Sequence, residues 1–264
     1  MMSNADTNIA ALRTGHDSLA ALVAKLSDDD LALTSGAAEW DVSQVVSHLG
    51  SGAEIGRATV QAALDGKPNP GREFNLSVWA RWDGMSRRER ADGFLSANPA
   101  LIEMYESMDA DTRQNLRIDV GFMPAPVDVA TAARLRLSEQ TLHSWDVRVT
   151  FDENATLAPE AAGLLLEGTG DLLGWIGKAD KLEGRQGVIQ VRTTAPDEVF
   201  TLRLGERISL DREVPEEFDG TLALPAESWL RLVAGRLAPR HTPAGIEATG
   251  LADLDLLRRV FPGY

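Results

Sequence analysis

The hydrophobic period of the chain changes partway along, and that change limits the possible folds more than any other feature. In the first long segment Ile9, Leu12, His16, Leu19, Val23 and Leu26 recur at steps of three and four, which is one face of an amphipathic helix. In GVIQVRTT (187–194) the period is two: Val188, Gln190 and Arg192 alternate with Ile189 and Val191, as in a half-buried strand. Helices first and strands later define an α+β chain.

The helical half divides at its caps and breakers. TSGAAEW (34–40) interrupts the first pattern, and DVSQVVSHLG (41–50) starts the next. There Asp41 is an N-cap, Gln44 stands at N3 as in a capping box, and Trp40 can staple onto Val45. Gly66, Pro68 and Pro70 end that helix. Residues 71–86 read as irregular, and 87–108 as helical with a break at Asn98–Pro99. GFMPAP (121–126) is a connector, and Asp128 caps a helix reaching about Val149. Four main helices with longer connections suit an antiparallel bundle.

In the second half, residues 159–180 read as one helix. Short β-rich runs follow at 187–194, 198–205, 207–211 and 220–225, then a helix over 226–237. A last strand at 245–250 and a last helix at 251–261 complete the chain. The expected domains are 1–155, helical, and 156–264, a small α+β unit, joined within 151–183. No internal repeat or low-complexity segment is evident.

Composition narrows the function. The net charge is −14, and the densest basic stretch, RWDGMSRRER (81–90), is short and interrupted, so nucleic acid and anionic membranes are not expected partners. No window approaches the run of about 18 apolar residues that a membrane-spanning helix needs, and the N-terminus lacks a signal-peptide pattern. The chain has no cysteine, which excludes disulfides, thiolate ligands and a cysteine nucleophile. A cytoplasmic location is expected, and any thiol chemistry must use a thiol from outside.

The residues that can carry chemistry cluster in two places. In SEQTLHSWD (138–146), Glu139 and His143 are four apart and project from one helical face, with Asp146 three further on. Such a carboxylate–imidazole pair is half of a metal site, and bundles build such sites from facing helices. His48, in the apolar run VVSHLG, would supply the other half. Two nitrogens and one carboxylate with open positions suit a catalytic site, best zinc for activating a thiol or water, though the same set could hold ferrous iron, nickel or manganese. Glu–His pairs also occur on helix surfaces, and a histidine on an apolar face is often a satisfied core residue. His16 is a rival or additional ligand that we expect near the site but outside the first ring of ligands. His241, between prolines, reads as a loop residue.

EWDVSQVVSHLGSGAEI (39–55) and LRLSEQTLHSWDVR (135–148) resemble, in order and separation, segments of the mycothiol-dependent maleylpyruvate isomerase family within the DinB-like metal-binding superfamily. The resemblance covers roughly the first 150 residues. GTLALPAESWLRLVAGR (220–236) is more loosely similar to that family's C-terminal α+β domain, which resembles sterol carrier proteins. The resemblance implies a DinB-like four-helix bundle holding a divalent metal, usually zinc, on His48, Glu139 and His143. It also implies an arginine from the second domain, best matched by Arg236, with Arg231 as the fallback.

The chemistry so implied uses mycothiol. Zinc lowers the pKa of a bound thiol, the thiolate adds to an activated cis double bond, and rotation and elimination give the trans product and free thiol. Arg136 and Asp146 are candidates for holding the cofactor, and Arg136 and Arg148 for meeting substrate carboxylates. The expected partners are a small thiol and a small electrophile, with the chain a monomer or homodimer. The same apparatus could serve a thiol S-transferase, a metal-dependent hydrolase without thiol, or a metal-stabilised small-molecule binding protein. Substrate choice would lie in loops such as 70–86 and 118–127.

Overall fold

The computed structural model describes residues 3–37 and 39–263; Ala38, within the TSGAAEW break, lies outside the described residues. The chain divides into two compact units, Met1–Asp152 and Glu153–Tyr264.

The first unit runs α1 (Asn4–Val23), α2 (Asp28–Leu31), α3 (Val42–Leu64), α4 (Gly71–Asp83), α5 (Arg87–Glu106) and α6 (Ala110–Asn115). The short strands β1 (Arg117–Ile118) and β2 (Val127–Asp128) pair antiparallel before α7 (Val129–Arg148). The four long helices close a bundle in which α3 packs on α5 and α7, and α1 packs on α7 and α5. The period in the first segment becomes the buried face of α1: Ile9, Leu12, His16, Leu19 and Val23 all turn inward. α3 begins with the expected capping box, Gln44 N donating to Asp41 Oδ1 at 2.8 Å and Asp41 N to Gln44 Oε1 at 2.9 Å. Such a cap stabilises a helix start by about 1 kcal/mol.

Two expectations for this unit fail. Residues 71–83, read as irregular, form α4. This helix buries only Val78 and Trp82, one residue per turn, too narrow a stripe for periodicity to reveal. The break at Asn98–Pro99 is also absent, because α5 runs through Pro99 without interruption. Pro99 removes one backbone donor. The side chain of Asn98, wholly buried, instead ties this turn to α1 and α7 through His16 and Gln140.

Trp82 fixes α4 in place. It is 2% exposed, and its ring fills a gap left by two glycines, Gly50 of α3 and Gly93 of α5. A Cβ at Gly93 would lie 2.8 Å from the ring, and one at Gly50 closer still. Its indole N–H donates to Glu54 at 3.0 Å. Trp82→Ala is expected to destabilise the protein by about 3–5 kcal/mol, the range for an emptied aromatic site. A denaturant midpoint that moves by the equivalent of less than about 1 kcal/mol would show that the ring is not wedged.

The second unit opens with α8 (Pro159–Leu166) and α9 (Thr169–Ile176), so the single helix expected over 159–180 is divided at Glu167–Gly168. A 3₁₀ turn at Ala179–Leu182 follows. A five-stranded sheet comes next, from β3 (Gly187–Thr194), β4 (Glu198–Leu204), β5 (Ser209–Asp211), β6 (Gly220–Pro225) and β7 (Glu247–Gly250), in the order β5-β4-β3-β6-β7. The β3–β6 pair is parallel and the others antiparallel. The helices α10 (Ala226–Val233) and α11 (Leu254–Val260) carry the rest of the core. Trp229 of α10 is fully buried, with its ring edge-on to Phe200 of β4 at 5.1 Å. The helical half followed by a sheet half is the α+β architecture read from the change of period. Among the described residues no helix is long and apolar enough to cross a membrane.

Candidate metal centre

The bundle brings α3 and α7 side by side, and with them His48 and Glu139, 91 positions apart in sequence. His48 Nε2 lies 2.9 Å from Glu139 Oε2, and His143 Nε2 lies 3.6 Å from the same oxygen. The two imidazole centroids are 4.6 Å apart with their planes at 66°. One potential ligand atom from each of His48, Glu139 and His143 falls within 4.8 Å of the other two. His48 and Glu139 keep 36% of their side-chain surface and His143 10%, so the cluster is open to solvent on one side.

The electrostatics favour an anionic Glu139. Burial alone would raise its pKa. The hydrogen bond with His48 and the charges of His143, His48 and Arg136 outweigh that and hold it at about 2.

The surroundings of the cluster are built. Asp146 has no exposed surface, and its Oδ2 stands 2.8 Å from His143 Nδ1. An imidazole whose Nδ1–H donates to a carboxylate presents the Nε2 lone pair, so Asp146 sets both ring angle and tautomer. Trp40 lies over both rings, its centroid 5.9 Å from His143 at 28° and 5.2 Å from His48 at 43°. The turn carrying Trp40 is fastened to α7 by Gly36 N, which donates to Asp146 O at 2.8 Å. Gly36 has no room for a side chain there, since a Cβ would meet Val149 at 2.7 Å and the Asp146 Cα at 3.0 Å. Trp40 is partly buried against the core group that contains Val45, and its ring contact with the two histidines was not legible in the sequence.

The remaining candidates are placed differently from one another. Asp146, expected as a cofactor contact, is wholly buried, and its carboxylate faces His143 Nδ1. Arg136 points into the bundle, where it donates to Leu49 O and Asn98 Oδ1, and burial pushes its pKa down to about 10. Arg148 donates to Ser144 and Ser18. His16 is buried against Phe94, within hydrogen-bond distance of Asn98 at 2.8 Å, and lies outside the three-residue cluster. Burial lowers its pKa.

In the second unit Arg231 is 2% exposed and forks onto Glu227 at 2.7 and 2.8 Å, a structural pair. Arg236 is half-buried, with one donor on Ala234 O at 3.0 Å. His241 closes a 3₁₀ turn, and its carbonyl accepts from Arg231.

An open cluster of two imidazoles and a carboxylate across two helices of a bundle is a donor set that could hold a metal ion. Over residues 12–148 the sequence matches the family described as the mycothiol maleylpyruvate isomerase N-terminal domain. The chain belongs to that family. Two solved structures share its fold, the mycothiol-dependent maleylpyruvate isomerase and a histidine-to-alanine mutant of it. Each is 12% identical, with a TM-score of 0.64 over 94% of this chain and 96% of the other. At that identity the likeness establishes the fold alone. No curated protein sequence gives a significant match.

Proposed function

We propose that the chain is a metal-dependent, mycothiol-using enzyme that acts on a small electrophile, and that its reaction is a cis–trans isomerisation of the maleylpyruvate type. The observation that carries this reading is the convergence of His48, Glu139 and His143 inside the region that matches the family.

The residues fit a divalent ion. The donor set is two imidazole nitrogens and one anionic carboxylate, and one imidazole is already oriented by a buried Asp146. Zinc suits these ligands best. An ion there would lower the pKa of an incoming thiol so that the thiolate is present at neutral pH. The chain's own residues do the rest. Glu139 supplies the balancing negative charge. Asp146 keeps the His143 lone pair turned inward. Trp40 covers one side of both rings and shields them from water. The exposed side of His48 and Glu139 admits the thiol and the substrate. Arg236 is the proposed partner for a substrate carboxylate, a local positive charge set against the net charge of −14. A cytoplasmic location goes with this reading, since thiols stay reduced there.

The test is turnover of maleylpyruvate with the metal-loaded protein, with and without mycothiol. Isomerisation leaves the free thiol concentration constant. Steady thiol consumption would establish an S-transferase in its place, and turnover without thiol a hydrolase. Equal binding of mycothiol to apo and metal-loaded protein, measured by calorimetry, would overturn the reading altogether.

A further inference from the structure

The two halves of the candidate metal centre sit on different helices, and one side chain joins those helices beside the cluster. Arg136 lies one turn before Glu139 on α7. Its Nη2 crosses to α3 and donates to the carbonyl of Leu49, the residue after His48, at 2.6 Å. The same nitrogen donates to Asn98 Oδ1 on α5. Space for the guanidinium comes from Gly52, where a Cβ would stand 3.1 Å from Nη1.

The arginine is itself held. Asn98 is wholly buried, and its amide nitrogen reaches Gln140 Oε1 at 2.9 Å and His16 Nδ1 at 2.8 Å. Both amide hydrogens are thereby used, which fixes the amide orientation and turns Oδ1 toward Arg136. His16 must accept, so its Nδ1 carries no proton. Residues of α1, α5 and α7 thus converge on one amide, and the amide aims one guanidinium at α3. Buried networks of this kind specify a single arrangement of the elements they join.

We infer that Arg136 is a positioning residue that sets the spacing of His48 and Glu139 for the metal, with Asn98, Gln140 and His16 as its support. This rests on the metal-site reading above. Both bonds leave Nη2, whose two hydrogens lie in the rigid guanidinium plane, whereas a lysine ammonium is a point charge on a shorter, more flexible stem.

The experiment is titration of the full-length apoprotein with Zn²⁺ and with Co²⁺, whose visible spectrum reports ligand geometry. Wild type, Arg136→Met, Arg136→Lys and Arg113→Met would be compared. Arg113 is a second arginine of the same unit, bonded to Asp6 and to the carbonyls of Tyr105 and Glu106, with no contact to the cluster. Arg136→Met is expected to weaken both ions by about 10–100-fold, as supporting partners of metal ligands do, and to change the Co²⁺ spectrum. Arg113→Met is expected to lower the melting temperature and leave affinity and spectrum as in wild type.

Arg136→Lys is expected to bind at least a few-fold more weakly than wild type despite keeping the charge. It carries the test alone if the methionine variant does not fold. An Arg136→Met or Arg136→Lys protein within about twofold of wild type, with the wild-type Co²⁺ spectrum, would overturn the inference. So would an Arg113→Met protein that loses as much affinity as Arg136→Met. Wild-type protein that binds neither ion would sink the metal-site reading and this inference with it.

Discussion

His48→Ala and His143→Ala are each expected to abolish high-affinity metal binding, while wild-type protein carries about one divalent ion per chain, as a three-ligand site does. The two imidazole nitrogens lie 2.9 and 3.6 Å from one Glu139 oxygen, so removing either leaves two of the three donors. His16, the other histidine of this unit, cannot substitute. It is buried with its Nδ1 committed to Asn98, and it lies outside the cluster. The loss should exceed the roughly 10–100-fold that outer partners of ligands contribute. Elemental analysis of purified variants gives the stoichiometry and separates zinc from iron. Unchanged metal content in both variants would remove the site. His16→Ala serves as the contrast, since it is expected to keep the ion.

Asp146→Leu is expected to weaken metal binding nearly as far, by about 100-fold, and Asp146→Asn by about tenfold, the two ends of the range for such partners. Asn keeps an oxygen that can accept from His143 Nδ1–H but loses the charge. Leu loses both and leaves a buried imidazole N–H without a partner, which costs a further 1–3 kcal/mol or so of stability. The measurement is a competitive metal titration combined with thermal melting of the apoprotein. The opposite result would be equally clear. If Asp146 held the thiol cofactor, its variants would keep wild-type metal affinity and lose mycothiol affinity alone. The complete burial of the carboxylate is the reason to expect the first pattern.

What the sequence by itself determined is local. Glu139 and His143 share a face because helix geometry places residues four apart one above the other. The α3 start was legible in Asp41 and Gln44, since a capping box involves only neighbours in sequence. The strand at 187–194 followed from its alternating pattern, although Gln190 is buried together with Ile189 and Val191. His48 was legible as a ligand candidate only as a polar residue in an apolar run, and resemblance supplied the rest.

Tertiary structure alone decided the longer-range features. Asn98 keeps its turn helical next to Pro99 through partners 82 and 42 positions away, and no window around it contains that information. The α4 helix forms because Trp82 finds a slot between Gly50 and Gly93, which local propensity cannot express. Arg136 and Asp146 read as candidate cofactor contacts because both lie near the ligands along α7. The bundle gives Arg136 its bonds to Leu49 and Asn98, and Asp146 its contact with His143, partners that position along α7 does not disclose. The physical reason is common to all four. Period and caps report which face of an element is buried, whereas the partner a buried polar group finds depends on which helices close around it.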